Sequence, residues 1–384
     1  MTRAEIIIKA IEGRITWIQA ATIIGVTDRH MRRLKRSYER SGFDGLRDYR
    51  AGKPRMKRIA LKTIRELCRL RREHYLDFSV KHFHEFATEQ HGLSISYNWA
   101  RIVLQEAGLV EKAPGRGKYR RQRERRPMVG MLLHVDGSTH PWIAGIPAQD
   151  LIIVLDDADG RILHGKFVEE EGTLSTFEAL AEVLKKHGRF GELYHDCGSH
   201  FGKTSHAGQG PDEEQHGQVT RALRVLGIRQ IFARSPQARG RSERCFETIQ
   251  GRLPQELRLE GIRDYDKANE YLQKVFIPSF NRRFTVKPEQ AESAFVPLTG
   301  IDLMLLLSEQ HERTVQNDNT IRFQGVTLQI PSDKYRLHYV RCKVTVHRCI
   351  DQTLGISFQG RLLARYTQDG EQIISNSIAR RKVA

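Results

Sequence analysis

Membrane-spanning runs, a disulfide framework and an acidic surplus are all missing from this 384-residue sequence. Its apolar runs are short: Leu303-Met304-Leu305-Leu306-Leu307 is far below the roughly 20 residues a spanning helix needs. No basic-then-apolar leader opens it, which argues against secretion. Cysteine is scarce. The five residues Cys68, Cys197, Cys245, Cys342 and Cys349 are scattered and odd in number, which argues against a disulfide scaffold and for a reducing compartment. The expected location is the cytoplasm.

What is present in excess is positive charge. The formal net charge is +17, and residues 1–127 hold 30 Lys and Arg against 14 Asp and Glu, so nearly all of the surplus lies in the first third. That asymmetry is the footprint of a polyanion binder, most often of nucleic acid. With 39% hydrophobic and 28% charged residues the composition is that of an ordinary globular protein, and the length allows two or three domains with their own cores.

The first domain is expected over residues 1–52. AEIIIKAIE reads as a short helix, TWIQAATIIGV as a second helix stopped by Gly25, and Thr27-Asp28 as the cap of RHMRRLKRSYERSG. Helix, glycine turn, arginine-rich helix is the helix-turn-helix pattern, whose second helix enters the major groove of DNA. Arg29, His30, Arg32, Arg33 and Arg36 would face DNA, while Met31, Leu34 and Tyr38 pack inward. Residues 58–111 read as a second helix-turn-helix unit, with helices at 61–75, 79–92 and 96–109 and caps at Ser79 and Ser96. His82, His84 and His91 within it invite a zinc reading, but no CxxC half accompanies them. Residues 112–127 form a basic linker in which Arg120 and Arg121 are expected along phosphates.

The pattern then changes to strands. MLLHVD, a hairpin from 150 to 171 turning at Asp159-Gly160, a helix near 174–187, ELYHD, a further helix, IRQIFA and a long helix from about Ala238 make a layered α/β domain over 128–298. That order matches the ribonuclease H-like fold. Period-two alternation toward the C-terminus predicts a small all-β barrel at 316–370.

Two carboxylates end predicted strands, Asp136 in HVDGS and Asp196 in HDCGS. A third from the long helix would complete an all-oxygen site suited to hard Mg²⁺ or Mn²⁺. On a helical wheel Glu243 lies nearer than Glu247 to the apolar stripe Phe246, Ile249, Leu253 and Leu257, and Glu256 lies about three turns further on. Arg239, Arg241 and Arg244 surround that glutamate and are expected at phosphate. His195 and His200 are expected near substrate phosphate or water, and Asp156 and Asp157 mainly as structural.

HVDGSTHPW, LDDADGR, HDCGSHF and SPQARGRSERCFETIQGRL closely resemble the ISNCY-type insertion-sequence transposases, within the wider DDE transposase and retroviral integrase superfamily. The likeness covers nearly the whole chain. It implies a multidomain protein: an all-α tandem helix-turn-helix region, an α/β ribonuclease H-like catalytic core and a small all-β C-terminal barrel. It makes Asp136, Asp196 and Glu243 the catalytic, metal-binding triad, with two divalent ions, and the insertion around residues 203–215 absorbs a longer spacing than integrases show. The implied reaction is cleavage of DNA at element ends, followed by attack of the freed 3′-OH on target DNA. The implied partners are double-stranded DNA and further copies of this chain, with no membrane and no small-molecule substrate. Two other readings compete: a catalytically silent DNA-binding regulator derived from a transposase, and a simple metal-dependent nuclease. The two aspartates can also be read as turn caps.

Overall fold

The computed structural model describes residues 3–47, 59–112, 124–196, 217–233 and 240–373. The chain divides into two compact units, residues 1–67 and 68–384. In the first, α1 (Arg3–Ile11), α2 (Trp17–Ile24) and α3 (Asp28–Ser41) enclose Ile6, Ile7, Ala10, Ala20, Ala21 and Met31. Short polar side chains set the boundaries. Thr16 accepts from the Gln19 N–H at 3.1 Å while Gln19 Oε1 accepts from the Thr16 N–H at 2.8 Å, closing a capping box. Gly25 ends α2 at φ 72°, a left-handed turn that a side chain would strain. Thr27 then caps α3 by accepting from the His30 N–H at 3.3 Å.

The division between the units falls within α4 (Leu61–Glu73), and α5 (Val80–Glu89) and α6 (Tyr97–Glu106) belong to the second. Ser79 and Ser96 cap α5 and α6 as the sequence predicts. The three histidines go to different places. His82 stacks on Phe78, His84 Nε2 lies 2.9 Å from the Ile95 carbonyl, and His91 Nε2 lies 2.8 Å from the Tyr75 hydroxyl. They do not form a zinc site.

The core follows as β1 (Leu132–His140), β2 (Gln149–Asp156), β3 (Ile162–Val168), α7 (Thr173–His187), β4 (Glu192–His195), α8 (Gln218–Val225), β5 (Arg229–Phe232), α9 (Gly240–Gln250), α10 (Leu253–Leu259), α11 (Tyr265–Tyr271) and α12 (Ile277–Phe284). The strands form one sheet in the order β3-β2-β1-β4-β5, with β1 antiparallel to β2 and parallel to β4. Alternation sorts the faces. Leu133, Val135, Ile152 and Val154 pack toward α7 and α8, while Leu151, Ile153 and Leu155 pack toward α9 to α12. Both faces of β2 are covered, which is why LIIVL is apolar without a break.

The long helix expected from about Ala238 is broken. It ends at Gln250 and restarts as α10, with Arg252 at φ −137° between the two. Phe246, Ile249, Leu253 and Leu257 nevertheless all enter one core. A π turn at Leu272–Phe276 joins α11 to α12 and widens the helix just before Pro278, which has no N–H to donate.

The C-terminal part contains α13 (Leu303–Leu306), β6 (Glu309–Thr314), β7 (Thr320–Phe323), β8 (Val326–Gln329), β9 (Lys343–Arg348), β10 (Leu354–Phe358), β11 (Arg361–Tyr366) and β12 (Gln372–Ile373). The expected barrel is corrected to an open five-stranded sheet, β12-β11-β10-β9-β6, with β7 and β8 as a separate hairpin. No ladder closes it among the described residues. The hairpins turn at Gln324-Gly325 and Gln359-Gly360, where both residues have positive φ, the backbone twist two-residue hairpins favour. Gln218 of α8 exchanges side-chain hydrogen bonds with the Gln310 backbone, and Arg221 donates to the Leu306 and Ser308 carbonyls, tying this sheet to the core.

Helix α5 is joined to the core helices by buried charge. The Glu85 carboxylate accepts from Arg252 at 2.6 Å and also from Arg283, while His82 Nε2 lies 2.9 Å from Glu256, which accepts from the Tyr271 hydroxyl. Removing the anion strands two guanidinium groups against the core. Glu85→Ala is therefore expected to cost about 3 kcal/mol in urea unfolding of the full chain, against less than about 1 kcal/mol for the exposed Asp77→Ala.

Candidate active site

Asp136 lies in the middle of β1, 8% exposed, opposite Ile153 of β2. Asp196 is the residue after β4. The parallel ladder between β1 and β4 pairs His134 with Tyr194, whose rings lie 5.0 Å apart on one face of the sheet. Asp136 is two residues further along β1, on that same face by the period of the strand, and Asp196 follows the last residue of β4.

Helix α9 runs along the same face and is tied to it at three levels. Near its start, Arg241 Nη1 lies 2.9 Å from Asp157 Oδ1 and donates to the Asp157 carbonyl at 2.7 Å. In its middle, Cys245 is buried near Asp136: burial, and then the Asp136 charge, push the thiol up to about 12, so it stays protonated. At its end, Gln250 donates to Ser138 Oγ at 3.1 Å. Glu243 falls between the first two levels on the open side of the helix, and both it and Glu247 are exposed. Among the described residues no three His, Cys, Asp or Glu side chains come together closely enough to hold a metal ion. Asp136 within β1 and Asp196 just past β4 offer the carboxylate oxygens a hard divalent cation takes. Glu256 is already engaged by His82 and Tyr271.

Asp157 organises this region to a degree its sequence position does not disclose. Its side chain is fully buried and accepts from the Arg126 N–H at 2.7 Å, with His134 Nε2 at 2.8 Å and Arg241 at 2.9 Å. Burial alone would push the carboxyl up, but the His134 hydrogen bond, the Arg126 N–H and the Arg241 charge outweigh it and hold it below its ordinary value. Asp156 accepts from the Gly130 and Ala158 N–H groups, and burial raises it to about 6. Both are structural.

Other expected site residues separate. His195 is corrected: it is 1% exposed, its Nδ1 is 2.6 Å from the Asp196 carbonyl and its Nε2 is 3.1 Å from Gln230, so it is a core histidine. Arg241, expected at phosphate, is 15% exposed and committed to Asp157. Arg244 is exposed, as are Arg29, Arg32, Arg33 and Arg36 along α3, with His30 half-buried. Arg120, Arg121, Cys197, His200 and Arg239 lie outside the described residues. No helix among the described residues is long and apolar enough to cross a membrane.

Comparison with known proteins adds independent findings. Residues 2–55 match a helix-turn-helix domain family. The chain is 31% identical to the putative transposase y4bF of Sinorhizobium fredii, over 98% of this chain and 82% of that protein. It is 25% identical to the transposase for insertion sequence IS1202 of Streptococcus pneumoniae, over 94% and 85% respectively. Among solved structures, similarity extends to a simian T-cell lymphotropic virus intasome in complex with the PP2A regulatory subunit B56 gamma (12% identity, TM-score 0.36, 73% of this chain and 92% of that one). It extends also to the HTLV-2 integrase catalytic core domain in complex with magnesium (15% identity, TM-score 0.29, 38% and 88%).

The Asp157 clamp has its own test. Because the folded carboxyl is depressed, the stability it contributes is present above the unfolded value of roughly 4 and is lost as pH falls through the lower folded value. Hydrogen exchange within α9, corrected for the intrinsic rate at each pH, should therefore accelerate in acid. In Asp157→Asn it should already be at least about tenfold faster at pH 7, a change near 1.4 kcal/mol in local opening, with β2 amides unchanged. Equal protection in both proteins would refute the clamp.

Proposed function

The chain belongs to the transposases, and from that premise we propose that it binds the ends of an insertion sequence and performs metal-dependent cleavage and strand transfer on DNA. The observation that supports this reading is that Asp136 lies on β1 and Asp196 directly follows β4, the parallel strand beside it. In the proposed site these two carboxylates hold divalent cations from the sheet side. Glu243 closes the set from the helix, and Glu247, one turn further on, is left out. Two Mg²⁺ or Mn²⁺ ions, when bound, supply activation of an attacking oxygen and neutralise charge on the leaving oxygen.

The chain's own residues position and exclude. Arg241 and Asp157 fix the start of α9 two residues before Glu243. No covalent protein intermediate is needed. Water breaks one P–O bond at the element end, releasing a 3′-OH, and that hydroxyl attacks a target phosphate in line while the opposite P–O bond breaks. The exposed arginines of α3 fit the backbone and major groove of duplex DNA, and Arg244 fits phosphate near the reacting strand. Joining two ends calls for at least two copies of the chain. We place its action at the nucleoid.

One observation favours a second reading: the three carboxylates do not converge among the described residues, as a silent DNA-binding regulator would allow. Mutation separates the two. Asp136→Asn and Glu243→Gln should each lower Mg²⁺-dependent end cleavage and joining by at least about 100-fold while end binding persists, and Glu247→Gln should stay within about twofold of wild type. A wild-type chain that binds ends but cuts in neither Mg²⁺ nor Mn²⁺ is the regulator.

A further inference from the structure

The segment between β8 and β9 combines rigidity with exposed apolar surface. Asp333 braces it: Oδ1 accepts from the Tyr335 N–H at 2.8 Å and the Arg336 N–H at 2.9 Å, Oδ2 accepts from the Tyr339 hydroxyl at 2.8 Å, and Arg361 pairs with the same carboxylate. Tyr339 is fully buried and anchors the far end. At the crest Leu337 is 85% exposed, the most of any large apolar side chain among the described residues, and Tyr335 beside it is 64% exposed. Single exposed leucines are common on protein surfaces. A leucine lifted into water by a braced loop and ringed by cations is a different object.

Lys334, Arg336, His338 and Arg341 are all exposed around it. Among the described residues no carboxylate pairs with Lys334, Arg336 or Arg341, and the nearby Asp333 is already engaged. The Arg361 guanidinium lies 4.5 Å from the centre of the Tyr335 ring, fixing that aromatic in place.

We propose that this arch is a DNA contact: Leu337 wedges against a base step in the minor groove while Lys334, Arg336 and Arg341 take the flanking phosphates. Charge decides the occupant. A cationic face repels a second copy of itself, whereas an apolar wedge between phosphate-binding cations is how minor-groove proteins unstack and bend a duplex. The proposal rests on the reading that the chain acts on DNA, and it adds a contact surface remote in sequence from both the helix-turn-helix and the carboxylates.

The test uses the full chain and a duplex of about 40 base pairs carrying 2-aminopurine, titrated across salt concentrations. Replacing the three cations together (Lys334→Ala, Arg336→Ala, Arg341→Ala) should make the slope of log affinity against log salt shallower by about 2 to 3, at roughly 0.9 per phosphate contact. Leu337→Ala should keep the slope and lose the fluorescence rise that unstacking produces. All four side chains are exposed, but Arg336 also lies over the Tyr339 and Phe358 rings and donates to Cys342 Sγ at 3.4 Å, so the Lys334→Ala, Arg341→Ala double variant, expected to lower the slope by about 1 to 2 at an unchanged melting temperature, controls for folding. An unchanged slope in the triple variant, or an undiminished fluorescence rise in Leu337→Ala, overturns the proposal. So does a Leu337→Ala chain that loses self-association at unaltered DNA binding, which would make the arch a protein interface. If the wild-type chain itself binds no duplex at any salt, the DNA-processing reading falls with it.

Discussion

The carboxylate of Asp157 has no exposed surface and is surrounded by a backbone N–H, an imidazole and a guanidinium. The geometry of the candidate site depends on that one buried anion. Arg241 is two residues before Glu243, and His134 is two residues before Asp136 on the adjoining strand. The same carboxylate therefore holds the helix and the strand in register with each other. Its desolvation is compensated only while all three partners stay in place, which makes the arrangement stiff. The proposed meeting of a carboxylate from α9 with Asp136 and Asp196 would call for a helix start fixed to this degree.

Much of the fold was legible because its boundaries are set by chemistry within a few residues. Thr27, Ser79 and Ser96 cap the helices they precede, Gly25 takes the left-handed turn, and Asp159-Gly160 turns the first hairpin. Asp196 follows its strand as expected, but β1 runs on to His140, so Asp136, expected at a strand end, lies inside the strand. Features set by distant partners were not legible. The break between α9 and α10 falls at Arg252, whose partner Glu85 is 167 positions earlier. His195 resembled a site residue until its contacts with Gln230 and Phe232 on the neighbouring strand placed it in the core. Alternation identified the C-terminal strands, but it does not encode which edges meet, so an open sheet with a separate hairpin read as a barrel.

Charge in the second unit follows a common plan that a tally of residues conceals. Glu85, Asp157 and Asp333 each sit inside or against the fold and brace an element through cationic or N–H partners. Cations without such partners are left facing outward, as Arg244 does on α9 and Lys334 and Arg341 do on the arch. The second unit thus presents cationic patches at chosen places. In the first unit the same separation occurs on one helix, with Met31 inside and Arg29, Arg32, Arg33 and Arg36 outside.

The central proposal is that Asp136 and Asp196 hold divalent cations beside α9. The most direct measurement is electron paramagnetic resonance of Mn²⁺ titrated into the full chain with duplex DNA present, comparing wild type with Asp196→Asn. The account predicts loss of the free-ion signal through tight binding in the wild type, and a large fall in that binding in the variant at equal DNA occupancy. Equal Mn²⁺ binding by the two proteins would contradict it.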